Sequence, residues 1–271
     1  MRIKAWMIAA RPKTLTTAIA PVLLGTILAY HEAIFNLSYF MLTLLGALLI
    51  QIGTNICNDY YDFLKGADTP ERVGPLRVTQ AGLLKPEQVK MGFVLVFALA
   101  ICVGFALILR GGWPIVLIGL TSITSGIFYT ASPYALAYLG LGEVFVLIFY
   151  GPVAVAGTYY VQTLRFSWIA CLYGLAIGFL ISAVLMVNSW RDMEQDRKAG
   201  KKTPAVRFGK DFARQSYIFS LLASAGIAFA LGAWPSALLV LAVAFLPKKN
   251  LNRLLAQTAF SAVIFALLAF F

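Results

Sequence analysis

Residues 38–62 read SYFMLTLLGALLIQIGTNICNDYYD, an apolar run that ends in a cluster of polar side chains. The apolar part has the length of about 20 residues that an α-helix needs to cross the hydrocarbon core of a bilayer. Its polar end carries Asn55, Asn58, Asp59 and Asp62. Residues three and four positions apart share one face of a helix, so the pattern predicts an oxygen-rich stripe at the end of a membrane helix.

A second apolar run, residues 168–188, ends in the same way. Asn188, Asp192 and Asp196 follow one another at intervals of four residues and predict a second stripe on one helix end. Capping would explain one Asp or Asn at a helix N-terminus. Here both clusters lie at C-terminal ends, where the helix dipole disfavours anions, so a cation is needed to offset the negative charge.

The two clusters together indicate a metal site. Carboxylates at membrane depth are costly and usually functional. Mg²⁺ prefers oxygen ligands and is commonly shared between carboxylates and substrate phosphates. We therefore predict that Mg²⁺ and a diphosphate are bound between the two helix ends, with Asn55, Asn58, Asp59, Asp62, Asn188, Asp192 and Asp196 as the metal ligands.

The composition predicts an integral membrane protein. Of the 271 residues, 61% are apolar and 12% are charged, whereas a soluble domain carries about 25% charged residues. Lys and Arg outnumber Asp and Glu by 22 to 11. Because the basic residues follow the predicted membrane topology, their excess does not indicate a nucleic-acid partner.

We predict an all-α bundle of about nine transmembrane helices. The apolar runs are 14–30, 38–57, 91–109, 113–131, 139–161, 168–188, 217–232, 234–246 and 251–271. With nine spans and a cytoplasmic N-terminus, 20 of the 22 basic residues face the cytoplasm, and Arg110 and Arg165 do not. Joining 217–246 into one span would place Lys248, Lys249 and Arg253 outside, so we keep nine.

In this topology both carboxylate clusters face the cytoplasm, and two cytoplasmic loops, at about 58–90 and 189–216, are expected to cap the site. The first contains a connection of about 28 residues between Phe63 and Lys90, which favours a lid because long loops in compact folds are usually functional or disordered. Basic residues follow each stripe, as diphosphate oxygens require. For any single one of them, contact with lipid headgroups is an equal alternative.

The motifs resemble the UbiA superfamily of membrane aromatic prenyltransferases over most of the chain. The matching segments are residues 11–15, 58–62, 65–68, 71–80, 129–130, 140–143, 151–162, 188–192, 196–200 and 202–207. The stretch Glu71–Gln80, ERVGPLRVTQ, is most similar to the branch that prenylates 1,4-dihydroxy-2-naphthoate in menaquinone synthesis.

The resemblance implies one transmembrane domain over residues 1–271, with helices around a central cavity that is capped on the cytoplasmic side of the cell membrane. It implies transfer of a polyprenyl group from a polyprenyl diphosphate to an aromatic acid, with loss of diphosphate and carbon dioxide. The implied catalytic residues, which hold Mg²⁺, are Asp59, Asp62, Asp192 and Asp196. The expected diphosphate contacts are Arg11, Lys65, Arg72, Arg77, Lys198, Lys202 and Arg207, and the expected acceptor contacts are Tyr129 and Glu143.

Three departures from the superfamily pattern affect these expectations. Gly66 stands where an acid is usual, with Asp68 as a candidate substitute, and Asn188 supplies a neutral ligand in place of Asp. No basic residue closely follows Tyr129, which argues against 4-hydroxybenzoate as the acceptor. The sequence does not exclude the related prenyltransferases that act on 4-hydroxybenzoate or homogentisate or in the synthesis of the chlorophyll tail. A transporter is a distant alternative, because its ionisable residues would lie near the middle of the membrane.

Overall fold

The computed structural model describes residues 2–68, 73–131, 135–247 and 249–270, and these residues form helices and connections without a β-strand. The helices are α1 (Arg2–Ala10), α2 (Pro12–His31), α3 (Leu37–Leu64), α4 (Pro86–Gly111), α5 (Trp113–Phe128), α6 (Leu136–Leu139), α7 (Gly142–Ile148), a π-helical segment (Phe149–Val153), α8 (Ala154–Thr163), α9 (Trp168–Arg191), α10 (Met193–Lys198), α11 (Pro204–Ala230), α12 (Trp234–Ala244) and α13 (Leu251–Leu268).

Six segments of the described chain are long and apolar enough to cross a membrane: α2, α3, α4, the continuous stretch Gly142–Thr163, α9 and α13. The helices α5 and α12 are apolar but shorter. The outer surface of the bundle is apolar too. The helix α4, for example, exposes Leu95, Ile101, Phe105 and Leu109. Helices that satisfy their own backbone and expose apolar side chains suit a lipid environment. The chain is thus an all-α, multi-pass membrane protein, as predicted, and the count of nine spans stays a prediction.

Local sequence explains where several helices begin. Asn36, Ser167, Thr203 and Asn250 precede α3, α9, α11 and α13, and each side chain accepts a hydrogen bond from a backbone N–H in the first turn. Such caps satisfy one of the amide groups that a helix start leaves unpaired. The starts of α3 and α9, which carry the polar clusters at their opposite ends, are therefore encoded locally.

The segment between α7 and α8 is kinked against α9. Gly151 has a non-helical conformation inside the π-helical turn, next to Pro152. A Cβ added to Gly151 would lie 2.7 Å from the carbonyl oxygen of Gly174 and 3.1 Å from the Cα of Gly178. The two backbones can approach this closely only because small residues face each other, a common arrangement in membrane helices.

The two larger of three hydrophobic cores in the described chain flank the interior. The larger joins α2, α8, α9, α11, α12 and α13 around side chains such as Leu24, Leu180 and Tyr217. The smaller joins α1, α3 and α4 to the loop before α4 around Ile56 and Val78. This division leaves an internal space between the two groups of helices, and the C-terminal ends of α3 and α9 lie beside it.

The second polar stripe is not one continuous helix, which corrects the sequence prediction. The helix α9 ends at Arg191, and Asp192 (φ −92°, ψ 7°) separates it from α10, where Asp196 lies. The amide of Asp196 still donates to the carbonyl oxygen of Asp192 at 2.8 Å. The spacing of four residues thus brings the two acids together as expected, although through a bend.

Candidate active site

A cavity of about 1090 Å³ occupies the internal space. One end is polar and is lined by Asn55, Asn58, Asp62, Arg77, Asn188, Arg191, Asp192, Asp196 and Lys201. The remainder is mostly apolar, with Ile50, Leu107, Ile115 and Phe149 among its lining residues. The structure therefore brings members of both predicted clusters to the same end of one cavity. This shape suits a molecule with an anionic head and a long apolar tail.

Asp62 is the centre of the first cluster. Its carboxylate accepts from Nη2 of Arg77 at 3.2 Å, from the hydroxyl of Tyr138 at 3.2 Å and from Nζ of Lys201 at 3.3 Å. Arg77 also pairs through Nε with Asp68 at 3.3 Å. Since Asp62 is only 1% exposed, these partners replace the water that its charge has lost.

Asp59 points elsewhere. Its carboxylate accepts from the backbone amides of Val78 and Thr79 at 3.0 and 3.1 Å and from the hydroxyl of Thr79. It is not among the described residues that line the cavity. In this structure Asp59 fastens the loop before α4 to α3, so its predicted role as a metal ligand stays a prediction.

The carboxylates of the second cluster also have basic partners. Arg191 donates to both carboxylate oxygens of Asp192 at 2.7 Å and to the side-chain oxygen of Asn188 at 2.6 Å. Asp196 lies 3.7 Å from Nζ of Lys201. Because Lys201 also contacts Asp62, one ammonium group links the two clusters.

Two residues that are absent from the predicted contacts are central here. Lys201 lies in a basic run, so its charge was visible in the sequence but its position was not. Tyr138 had no sequence signal, and it packs its ring under Nζ of Lys65 at 4.1 Å and of Lys201 at 5.3 Å while it donates to Asp62. Burial and the nearby Asp62 charge raise the pKa of Tyr138, so it stays a hydrogen-bond donor at neutral pH.

The predicted diphosphate residues divide into four groups. Arg11 and Arg77 line the cavity. Lys65 is directed to the carbonyl oxygen of Thr130 at 2.6 Å, and its pKa is lowered by burial and by Lys201, against the opposing effect of Asp62. A third group, exposed and absent from the described cavity lining, consists of Lys198, Lys202 and Arg207. Arg72, together with Glu71 at the start of the 71–80 motif, lies outside the described residues.

The loops that carry these residues are bound to one another. Arg207 donates to the carbonyl oxygen of Leu139 at 2.8 Å, and the amide of Lys202 donates to that of Tyr138 at 3.0 Å. A Cβ on Gly140 (φ 75°) would lie 2.2 Å from the carbonyl oxygen of Lys202, so a glycine is needed at this contact. Lys202 and Arg207 thus join the connections that follow α5 and α10.

The two predicted acceptor residues differ in position. Tyr129 is at the end of α5 and lines the cavity. Glu143 is not among the described lining residues, and it accepts from the hydroxyl of Ser189 at 3.0 Å, behind the wall. Deeper in the cavity Tyr150 donates to Gln51, which in turn donates to Asn55 at 3.2 Å. Asn55 also donates to Ala10 and Thr14, so this predicted metal ligand is engaged by α1 and α2.

Comparison with known proteins identifies the family. The model of the UbiA prenyltransferase family matches residues 18–270. The chain belongs to the UbiA prenyltransferase family. This confirms the resemblance found in the sequence motifs. Two relatives of this UbiA protein are named 1,4-dihydroxy-2-naphthoate octaprenyltransferase: that of Haemophilus influenzae is 38% identical over 91% of this chain and 84% of its own length, and that of Escherichia coli is 36% identical over 82% and 74%.

Solved structures share the fold. A UbiA homologue from Archaeoglobus fulgidus, determined with GPP and Mg²⁺, has a TM-score of 0.74 and 16% identity, and the match covers 98% of each chain. The same homologue with Cd²⁺ has a TM-score of 0.73 and 16% identity, with 98% of this chain and 97% of the other covered. These structures establish that this chain has the UbiA fold.

The side chains of this UbiA protein fit a magnesium ion that is shared with a diphosphate. No group of three carboxylate, imidazole or thiol side chains in the described part of the chain is close enough to hold a metal alone. The cavity nevertheless offers oxygen donors on two sides, from Asp62 and Asn58 and from Asp192 and Asp196. Mg²⁺ commonly completes its shell with waters and substrate phosphates, so a sparse protein set suits it.

The same end of the cavity has an unused donor for an anion. Nη1 of Arg77 is buried and has no hydrogen-bond partner among the described residues. A buried charged group normally has its donors satisfied, and an unmet one is costly. A diphosphate oxygen at the polar end of the cavity would supply the missing acceptor.

Proposed function

We propose that this protein transfers a polyprenyl group from a polyprenyl diphosphate to 1,4-dihydroxy-2-naphthoate in a Mg²⁺-dependent reaction. Diphosphate and carbon dioxide are released, and the product is demethylmenaquinone in its quinol form. The main support is the single cavity, which joins carboxylate and basic side chains at one end to a long apolar interior. Similarity to relatives named 1,4-dihydroxy-2-naphthoate octaprenyltransferase supports the choice of acceptor.

The polar end is proposed to bind and activate the leaving group. Asp62, Asp192 and Asp196, with Asn58 and Asn188, would hold Mg²⁺, and the bound ion would supply positive charge to offset the charge that develops on the departing diphosphate. Arg77, Arg11 and Lys201 contact diphosphate oxygens directly. As the bond between the allylic carbon and the diphosphate oxygen breaks, the leaving oxygen gains charge where these cations lie.

The apolar part is proposed to hold the prenyl tail and to keep water away from the allylic cation. The ring carbon that carries the carboxylate attacks this cation and forms the new carbon–carbon bond. The bond from that ring carbon to the carboxylate then breaks, its electron pair restores the aromatic ring, and carbon dioxide leaves. Tyr129, on the wall near the polar end, is proposed to contact the aromatic acceptor.

The finer topology belongs to the same proposal. Residues 1–271 form one domain with nine spans in the cell membrane, and the N-terminus and the loops at about 58–90 and 189–216 lie on the cytoplasmic side as a cap. The support is the distribution of Lys and Arg along the chain. In this orientation both substrates' charged groups arrive from the cytoplasm, while the tail enters from lipid.

The test supplies purified protein with a long polyprenyl diphosphate and with 1,4-dihydroxy-2-naphthoate labelled in the carboxylate. We expect one labelled carbon dioxide per diphosphate released, loss of activity with EDTA, and recovery with Mg²⁺. Label that stays on the prenylated ring would refute the decarboxylating reaction. Consumption of 4-hydroxybenzoate or homogentisate instead would assign the protein to another acceptor.

A further inference from the structure

We infer that Lys201 is an internal counter-cation that takes the place of the metal between the two carboxylate clusters, and that Mg²⁺ and diphosphate together displace it. This inference rests on the proposed function. Nζ of Lys201 lies 3.3 Å from Asp62 and 3.7 Å from Asp196, which are 134 residues apart in the sequence. An ammonium between two carboxylates is the arrangement expected of a site for a shared cation.

Charge balance at the polar end supports this role. Asp62 forms ion pairs with Arg77 and Lys201. Asp192 accepts hydrogen bonds from Nε and Nη2 of Arg191. Removing one partner of a buried ion pair leaves an uncompensated charge, which is strongly unfavourable. The basic side chains thus allow several acids to stay close together while no metal is bound.

The side chain of Lys201 can leave the ion pair more readily than that of its partner Asp62. The backbone of Lys201 is held, since its amide donates to the carbonyl oxygen of Asp196 at 2.9 Å, so the movement is one of the side chain. The lysine stem has several freely rotating bonds and carries a compact charge. Asp62, in contrast, is at the end of the long helix α3 and is 1% exposed. Lys201 is therefore the partner that yields when another cation arrives.

Displacement couples the two ligands. A divalent ion alone must compete with Lys201 for Asp62 and Asp196, so its affinity is low. When diphosphate is also present, the released ammonium gains a charge-assisted contact with a phosphate oxygen, and the competition becomes an exchange of partners. Each ligand then raises the affinity of the other by the same factor, as linkage requires. Lys201 is in this sense a positioning residue for the metal as well as a contact for the diphosphate.

The experiment measures binding without turnover, in full-length protein in detergent. Free Mn²⁺ is followed by electron paramagnetic resonance in the absence of diphosphate, and labelled pyrophosphate binding is measured separately at a fixed Mg²⁺ concentration. Lys201→Met keeps the apolar stem and removes the charge. We expect it to bind Mn²⁺ roughly 5-fold or more tightly than wild type and to bind pyrophosphate more weakly by a similar factor, in the range typical of coupled sites.

Two further variants make the result specific. Lys201→Arg keeps the charge and should retain Mn²⁺ affinity close to wild type. Lys210→Met removes an exposed lysine on α11 and should change neither affinity. A variant that folds poorly would lose affinity for both ligands, whereas the inference requires opposite changes.

The outcomes also separate the inference from the proposed function. Equal Mn²⁺ affinity in wild type and Lys201→Met would overturn the inference and leave the proposed function standing. Weaker Mn²⁺ binding in Lys201→Met would overturn it as well. Absence of Mn²⁺ binding in every variant, even with a prenyl diphosphate present, would refute both.

Discussion

Asp59 and Asp62 are three residues apart on α3, yet their carboxylates have different partners. Asp62 faces the cavity and contacts Arg77 and Lys201, whereas Asp59 binds the backbone of Val78 and Thr79. Sequence spacing places both on one helix face, but it does not distinguish a carboxylate aimed at a ligand from one aimed at a loop. The two side chains therefore predict different consequences when their charge is removed.

Asp62→Asn should lower turnover by on the order of 10²–10³, as expected when a group that stabilises transition-state charge is lost. It should also raise the Mg²⁺ concentration needed for half-maximal rate, because a carboxylate ligand becomes a neutral amide. The measurement is the prenylation rate over a Mg²⁺ series, with membrane insertion checked for each variant. A half-saturating Mg²⁺ concentration equal to that of wild type would argue against Asp62 as a ligand.

Asp59→Asn should lower thermal stability, by about 1–3 kcal/mol, because the backbone amides of the loop lose their charged acceptor. Thr79→Val removes one donor to the same carboxylate and should shift stability in the same direction by less. Melting temperatures in detergent and the Mg²⁺ series provide the comparison. If Asp59→Asn melts like wild type but requires more Mg²⁺, then Asp59 is a metal ligand and its loop contact is secondary.

Among the helices and turns, the π-helical segment depends on close backbone contact more than on side-chain packing. Gly151 crosses Gly174 and Gly178 on α9, and this contact shapes the wall that carries Tyr150. By contrast, Gly104 on α4 lines the apolar part of the cavity, and a methyl group added there would have no neighbouring atom within 4 Å. The same substitution should therefore have different consequences at the two sites.

Gly151→Ala should destabilise the protein by about 1–3 kcal/mol, the usual cost of overpacking a tight contact. Gly104→Ala, the matched control, should not destabilise the protein, because its methyl group enters open space and alanine favours the helix over glycine. Thermal unfolding of both variants in the same detergent measures the difference. Equal stability of the two variants would show that the crossing of α9 relaxes without cost.

At the scale of the whole molecule, a shared diphosphate site requires both carboxylate loops to lie on the same side of the membrane. The distribution of Lys and Arg predicts that this is the cytoplasmic side. In a cysteine-free background, a membrane-impermeant thiol reagent applied to the cytoplasmic side should label Lys85→Cys and Lys210→Cys and should not label Arg165→Cys. All three positions are exposed in the structure, so access is decided by the side of the membrane. Labelling of Lys85→Cys and Lys210→Cys from opposite sides would exclude a diphosphate site shared by the two loops.

Much of the architecture follows from the sequence because bilayer thickness and backbone hydrogen bonding leave few alternatives for long apolar runs. The run 168–188 falls within α9 and the run 251–271 largely within α13. The polar clusters follow from the sequence as well, because acids and amides at the ends of membrane helices are costly and therefore rare. Residues four apart were correctly placed together, although Asp192 bends the second stripe.

The tertiary structure alone decided which polar groups meet. Within the run 197–207 the basic residues are equivalent in sequence, and only the bend after α10 turns Lys201 inward while Lys198 and Lys202 stay exposed. Tyr138 reaches Asp62 because the backbone of Tyr138, in the connection after α5, is bound to that of Lys202, in the connection after α10. Periodicity and hydropathy describe each helix by itself, whereas these contacts depend on how loops distant in sequence pack over the ends of α3 and α9.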